Sequence, residues 1–304
     1  MLYIIRTALE LGCLYAPVAL ALFLSYRVLD IADLTTDGCF ILGAAVSVTL
    51  TAAGHPVIAV FAAVIAGACA GFVTAFLQTK LGVPSILAGI VTNMGLYTVN
   101  LMVMGWSANV SLLKAETIFS ALSEVNGAGD WGGVVIAGSA VVIVGVLLVL
   151  FLRTRLGLSI RATGDNRDMV RASSINPTFT VTIGLCIANA LTGLSGAMVG
   201  QYQNAADING GTGIVVIGLA CLIIGETVLG RRSIVKGVIA ALLGSILYRL
   251  IYAIVLYTKV FPVAGLKLVT AVIVAAAIAM PAIRRWVALQ KRRTQRRKGG
   301  AGNA

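Results

Sequence analysis

Long apolar runs alternate with short polar ones along almost the whole chain, and nine of them read as helices that enter a lipid bilayer. They are residues 8–26, 38–53, 57–77, 84–105, 131–152, 178–200, 211–229, 234–257 and 264–282. Most approach the roughly 20 apolar residues that cross about 30 Å of hydrocarbon. Residues 38–53 are short for a crossing and run into Gly54-His55-Pro56, which fits a tilted or broken helix. The predicted fold class is all-α, a polytopic membrane protein of about nine transmembrane helices, within a range of about eight to ten.

Composition reinforces this reading. Of 304 residues, 59% are hydrophobic and 11% charged, and the mean hydropathy is +0.99, which excludes an ordinary soluble domain. The first apolar run has no small-residue cleavage site of the usual form and many spans follow, so it reads as a retained helix. Cys13, Cys39, Cys69, Cys186 and Cys221 lie in or beside apolar runs without CxxC spacing. They suggest packing residues, not a disulfide framework or a zinc site.

Charge sets the orientation. A net charge of +12 in a soluble chain would point to nucleic acid, but here the cations sit between spans, where the positive-inside rule accounts for them. The dense set is Arg27, Lys80, the run Arg153 to Arg171, the cluster Arg231, Arg232 and Lys236, and the tail. The sparse set is the loop at His55, residues 106–130 with Lys114, residues 201–211, and the loop with Lys259. Dense and sparse alternate if the N-terminus is outside and the C-terminus cytoplasmic; Arg6 counts mildly against this. The chain then divides into a membrane unit, 1–283, and a basic cytoplasmic tail, 284–304. Eight Lys and Arg fall between Arg284 and Lys298, a run equally compatible with anionic headgroups or RNA.

A weak internal repeat is also present. Residues 29–48 and 203–222 both carry an Ala-Asp-hydrophobic triplet, glycine and an apolar run, and Pro84 and Pro262 keep nearly the same separation. On this topology the two segments enter the membrane from opposite sides, which predicts an inverted repeat with a solute path at the repeat interface.

Little points to covalent chemistry. The only histidine, His55, sits in a turn before Pro56, and there is no phosphate-binding loop, so ATP hydrolysis would need another chain. No cofactor is expected in this chain. Polar residues in or beside spans are costly in hydrocarbon and face protein or a cavity. Asp33, Thr36, Asn93, Asn100, Asn189, Gln201 and Glu226 are therefore candidates for a solute path. Asn93 and Asn100 share a helical face, and interhelical hydrogen bonding explains that face as well as solute contact does. Closely spaced glycines, such as Gly67 with Gly71 and Gly193 with Gly196 and Gly200, let helices approach or open. The loop 106–130 contains Glu116, Glu124 and Asp130, with a short surface helix predicted near 115–122. It reads either as a docking surface or as a connection.

One polar run stands out. Residues 155–177, RLGLSIRATGDNRDMVRASSINP, predict a helix ending at 153–156, a turn at 157–159, a short helical segment, and a restart capped by Asn176 before Pro177. The mixture of Asp165 and Asp168 with Arg161, Arg167 and Arg171 fits a docking knob or a solvated loop.

Gly157, Arg161, Ala162, Gly164, Asn166 and Ile175 resemble the cytoplasmic coupling segment of ABC importer permeases of the branched-chain amino acid and ribose superfamily. Val170 and Ser174 stand where that pattern commonly has Ala and Gly. Asp33, Leu34, Thr35 and Gly38 are similar to its D-L-S-x-G-G segment, with Asp37 in place of the first glycine. Residues 211–230 are similar to a late glycine-rich segment, from which Glu226 departs. The likeness spans about 10–280, and an aromatic amino acid importer branch is the nearest in pattern. It implies a non-enzymatic permease of a bacterial inner membrane, paired with a second copy. Two cytoplasmic ATPases holding ATP and magnesium, and an extracytoplasmic binding protein, would complete the assembly, with no nucleic acid partner. Coupling would fall to Gly157, Arg161, Ala162, Gly164, Asp165, Asn166, Arg167 and Asp168. An ion-coupled secondary transporter and a non-transporting membrane scaffold are the alternatives.

Overall fold

The computed structural model describes residues 2–112, 116–121, 131–230, 233–257, 268, 270–276 and 279. Most of the expected span 264–282, the tail 284–304, Lys114, Glu124, Asp130, Arg231, Arg232, Lys259 and Pro262 lie outside them. The described elements are α1 (Leu2–Leu22, continued by a π-helical turn Phe23–Val28), α2 (Thr36–Ala52), α3 (Pro56–Thr79), α4 (Ser85–Val103), β1 (Asn109–Ser111) and α5 (Gly132–Arg153). They continue with α6 (Arg155–Asp165), α7 (Arg167–Ala172), α8 (Pro177–Gln203), β2 (Ala205–Asp207), α9 (Ile214–Leu229) and α10 (Ile234–Tyr257). The protein is a polytopic all-α membrane protein. Among the described residues six helices are long and apolar enough to cross a membrane, and two shorter apolar helices, α2 and α9, accompany them.

The helix ends follow local chemistry. Asn176 caps α8 by accepting from the Thr178 amide at 3.0 Å, with Pro177 in the first turn. The helix end expected at 153–156 falls at Arg153, but the turn expected at Gly157-Leu158-Ser159 is absent. Thr154 interrupts the helix and caps α6, its hydroxyl accepting from the Gly157 amide at 3.2 Å. α6 then runs through those residues to Asp165. The expected surface helix near 115–122 is present over Ile118–Ala121, where Thr117 and Ser120 exchange side-chain and backbone hydrogen bonds as a miniature cap.

α1 ends and α8 begins on one face of the molecule, beside α6. Val28 and Leu29 back against Gly164, where a Cβ would strike the Val28 carbonyl, and Thr163 and Thr180 hydroxyls meet at 2.8 Å. Glu226 near the end of α9 pairs with Arg27 on that same face. The opposite, far face carries the ends of α2 and α8 and the start of α3, where Gln201 donates to the Ser47 hydroxyl at 3.0 Å and to the Pro56 carbonyl at 2.9 Å. There β1 and β2 pair antiparallel in the register Asn109 with Asp207.

The two halves repeat in opposite directions. α1, α2 and α3 correspond to α8, α9 and α10, and α1 packs on α10 as α8 packs on α3. Asp30 and Asn204, 174 residues apart, are both left-handed, a conformation Asp and Asn tolerate best after glycine. Three residues on, the Asp33 carboxylate accepts from the Thr35 amide and the Asp207 carboxylate from the Asn209 amide, at 2.9 and 2.8 Å. The same turn therefore starts both re-entering segments. Asp37 and Gly211, also 174 apart, touch each other, as repeat mates do only at a pseudo-two-fold axis. Small residues bring the helices together: a Cβ on Gly193 would sit 2.6 Å from the Ala63 carbonyl, so α3 and α8 meet backbone to backbone.

Candidate functional site at the meeting of two short helices

After α1 reaches one face the chain turns back inward through residues 29–35 before α2 begins. After α8 reaches the far face, residues 204–213 turn inward before α9. The depth follows from Asp33, whose carboxylate accepts from the Asn189 side chain at 2.7 Å. Asn189 is the thirteenth of the 27 residues of α8, so α2 starts near mid-depth. The N-termini of α2 and α9 meet there. The Asp37 carboxylate, in the first turn of α2, accepts from the amides of Gly213 at 3.0 Å and Val215 at 2.8 Å. An anion at a helix N-terminus is stabilised by the free amides and the dipole, and this one links the two halves.

Beside this junction is a cavity of about 370 Å³ between α2, α4 and the re-entering segment. Asp37, Gly38 and Ile41 line one wall, Asn93, Met94, Tyr97 and Asn100 another, and Ile208, Asn209, Gly211 and Thr212 the third. Asn100 is fully buried. Its amide donates to the Gly38 carbonyl at 3.1 Å, while its side-chain oxygen has no partner. Gly38 leaves room for the Asn93 side chain, against which a Cβ there would collide.

The expected path residues fall in four places. Asn93 and Asn100 line the cavity. Asp33, Thr36 and Asn189 form a buried knot in which Thr36 donates to the Asp33 carbonyl at 3.3 Å and Asn189 also donates to the Leu185 carbonyl at 3.1 Å. Gln201 lies at the far face, donating to Ser47 at 3.0 Å and accepting from the Ile118 amide at 3.2 Å. Glu226 lies on the α6 face, its carboxylate 3.1 Å from Arg27, in a second cavity of about 320 Å³ that Arg161 and Asp165 also line.

The segment 155–177 forms a helical elbow. Asn166 ends α6 and caps α7, accepting from the amides of Asp168 and Met169, both at 3.0 Å. Ile160 and Val170 are buried beneath it. Gly157 is buried against Phe151 and Leu152, Gly164 is half-buried against Val28, and Ala162 is half-buried. Arg161 and Asp165 face the second cavity, and Arg167 and Asp168 are exposed beside Met169. Asp37 is the charged lining residue that sequence reasoning did not place on the path, and Asn209 and Thr212 were missed with it. The departure of Asp37 from a glycine pattern was the available signal.

Residues 4–280 match the family model described as branched-chain amino acid transport system, permease component. The chain is 34% identical over 262 residues to a tyrosine transport system permease protein of Clostridioides difficile (strain R20291), covering 86% of this chain and 85% of that protein. It is 32% identical over 274 residues to an uncharacterised protein of Rickettsia prowazekii (strain Madrid E), covering 89% and 95%. A nucleoside ABC transporter permease protein of Lactococcus lactis subsp. cremoris (strain MG1363) is 27% identical over 199 residues, 60% of this chain and 52% of that one. No solved structure matches the chain significantly.

Proposed function

The chain belongs to the family of permease components of branched-chain amino acid transport systems, and from that premise we propose that it forms the solute path of a binding-protein-dependent importer driven by separate ATPase chains. The observation that carries the proposal is the amide-lined cavity where two short, oppositely directed helices meet at mid-depth. A polar cavity inside hydrocarbon is costly, and a path for a polar solute gives it a use.

The solute is an amino acid. Asp37 is the one charged side chain lining this cavity among the described residues, and a carboxylate suits a substrate ammonium. The Asn93 and Asn100 amides add neutral donors and acceptors, and Tyr97, Met94 and Ile41 offer an apolar surface to a side chain. The tyrosine permease relative is consistent with this class.

The α6 face is cytoplasmic, because Arg27, Lys80, Arg153, Arg155, Arg161, Arg167, Arg171 and Lys236 collect there. The elbow α6–α7 then projects towards an ATPase, with Arg167, Asp168 and Met169 as its exposed contacts. The binding protein docks on the far face, around β1 and residues 116–121. A second copy of the chain completes the path. ATP-driven closure of the ATPases moves the elbow, and Gly164 against Val28, with Arg27 paired to Glu226, passes that motion to α1 and α9.

The test is uptake by proteoliposomes holding the permease with the ATPase and binding protein from its own host. ATP-dependent accumulation of labelled tyrosine or leucine, but not uridine, is expected, and Asn93→Leu should abolish it. Uptake driven by an ion gradient without ATP would overturn the proposal.

A further inference from the structure

The cavity on the α6 face lies apart from the path cavity, and only part of its charge is engaged. It is enclosed by the π-helical turn that continues α1, by α6, by the end of α9 and by the start of α10, through Phe23, Arg27, Arg161, Asp165, Glu226 and Ile234. Arg27 and Glu226 are paired at 3.1 Å. The Arg161 and Asp165 side chains form no ion pair or hydrogen bond with each other or with any other described residue. They stand one helical turn apart, about 5–6 Å between Cβ atoms, and both line the cavity. The exposed contacts at the tip of the elbow, Arg167, Asp168 and Met169, lie outside it.

Two unengaged charges of opposite sign select the ligand. A phosphate or a nucleotide would gain Arg161 but meet the Asp165 and Glu226 carboxylates, and a simple cation would meet Arg27 and Arg161. A free amino acid carries both charges on one carbon, so a single molecule reaches both side chains. Hydrogen bonds between charged partners are roughly twice as strong as neutral ones. The volume of about 320 Å³ falls within the range of about 300–1,000 Å³ typical of small-molecule sites. Phe23, Val28 and Ile234 supply an apolar wall for the amino acid's side chain.

We propose, resting on the orientation and solute class inferred above, that this cavity binds a free amino acid arriving from the cytoplasm. Its carboxylate lies on Arg161, its ammonium on Asp165 and its side chain against Phe23 and Ile234. The bound molecule ties α6 to α1 and α10, the elements against which the elbow has to move. Accumulated product thereby slows the importer.

Binding is measured by calorimetric titration of the purified full chain carrying Asn93→Leu, without ATPase or binding protein, so that the path contributes nothing. Tyrosine is expected to bind at least roughly tenfold more tightly than tyramine, which lacks the carboxylate, or hydroxyphenylpropionate, which lacks the ammonium. Adding Arg161→Gln should erase the preference over tyramine, and adding Asp165→Asn the preference over the acid. Melting temperatures taken without ligand separate a lost site from a lost fold. The preference itself is read with both charges intact, so it stands even where a variant fails to fold. In proteoliposomes of the whole importer, tyrosine supplied with ATP on the ATPase side should slow hydrolysis, and uridine should not. Equal affinity for the three ligands, preferences unchanged in both variants, or hydrolysis indifferent to tyrosine would each overturn the proposal. Tyrosine that binds wild type but not Asn93→Leu would belong to the path, overturning this site and leaving the importer reading intact. Failed uptake with preserved tyrosine binding would do the reverse.

Discussion

Replacing Asp37 with alanine isolates the contact that joins the two halves. The substitution removes two hydrogen bonds from backbone amides, at 3.0 and 2.8 Å, to a carboxylate. Bonds to charged groups contribute about 1.5–3 kcal/mol each, so their full loss would cost about 3–6 kcal/mol. The carboxylate is half-buried beside a cavity, and water entering it can satisfy part of what is lost. The expected destabilisation is therefore about 2–3 kcal/mol. Asp37→Asn retains one acceptor oxygen and should lose roughly half as much. The assay is reversible unfolding of the detergent-solubilised protein by dodecyl sulfate titration. An Asp37→Ala protein within about 0.5 kcal/mol of wild type, in the range of an ordinary surface substitution, would refute the idea that this carboxylate joins α2 to α9.

Other outcomes follow from the same contacts. Gly43→Ala drives a Cβ into the Gly193 backbone and should cost about 1–3 kcal/mol by overpacking, read by the same titration. Ser174 is left-handed at φ 59°, so Ser174→Gly should raise stability by up to about 1 kcal/mol. Glu226→Gln breaks the pair with Arg27 on the α6 face. It should lower the coupling of ATP hydrolysis to uptake in proteoliposomes while leaving binding-protein affinity for solute unchanged.

The spans were largely legible because apolar runs of about 20 residues carry their own signal, as did the Asn176-Pro177 restart. The Asn93 and Asn100 face was legible from helical spacing, and both line the cavity. The short second span was visible from its length, but its mid-depth start was not. That start depends on Asp33 meeting Asn189, 156 residues away. Asp37 binds amides 176 and 178 residues distant, and no local pattern carries such a contact. The helix end within 153–156 was legible, but the turn read at Gly157 is absent, because that glycine's role is to let α6 approach Phe151 and Leu152. The β1–β2 pair was missed because three-residue strands leave too little alternation to read.

Coupling through α6 and α7 is the central claim, and the most direct measurement is affinity purification of the tagged permease from its native host, with copurifying chains identified by mass spectrometry. An ATPase subunit is expected to copurify with the wild-type chain. That subunit should be lost when residues 161–168 are scrambled, while the variant still elutes as a folded protein. A folded wild-type permease that repeatedly brings down no ATPase, or an ATPase that stays bound to the scrambled variant, would contradict it.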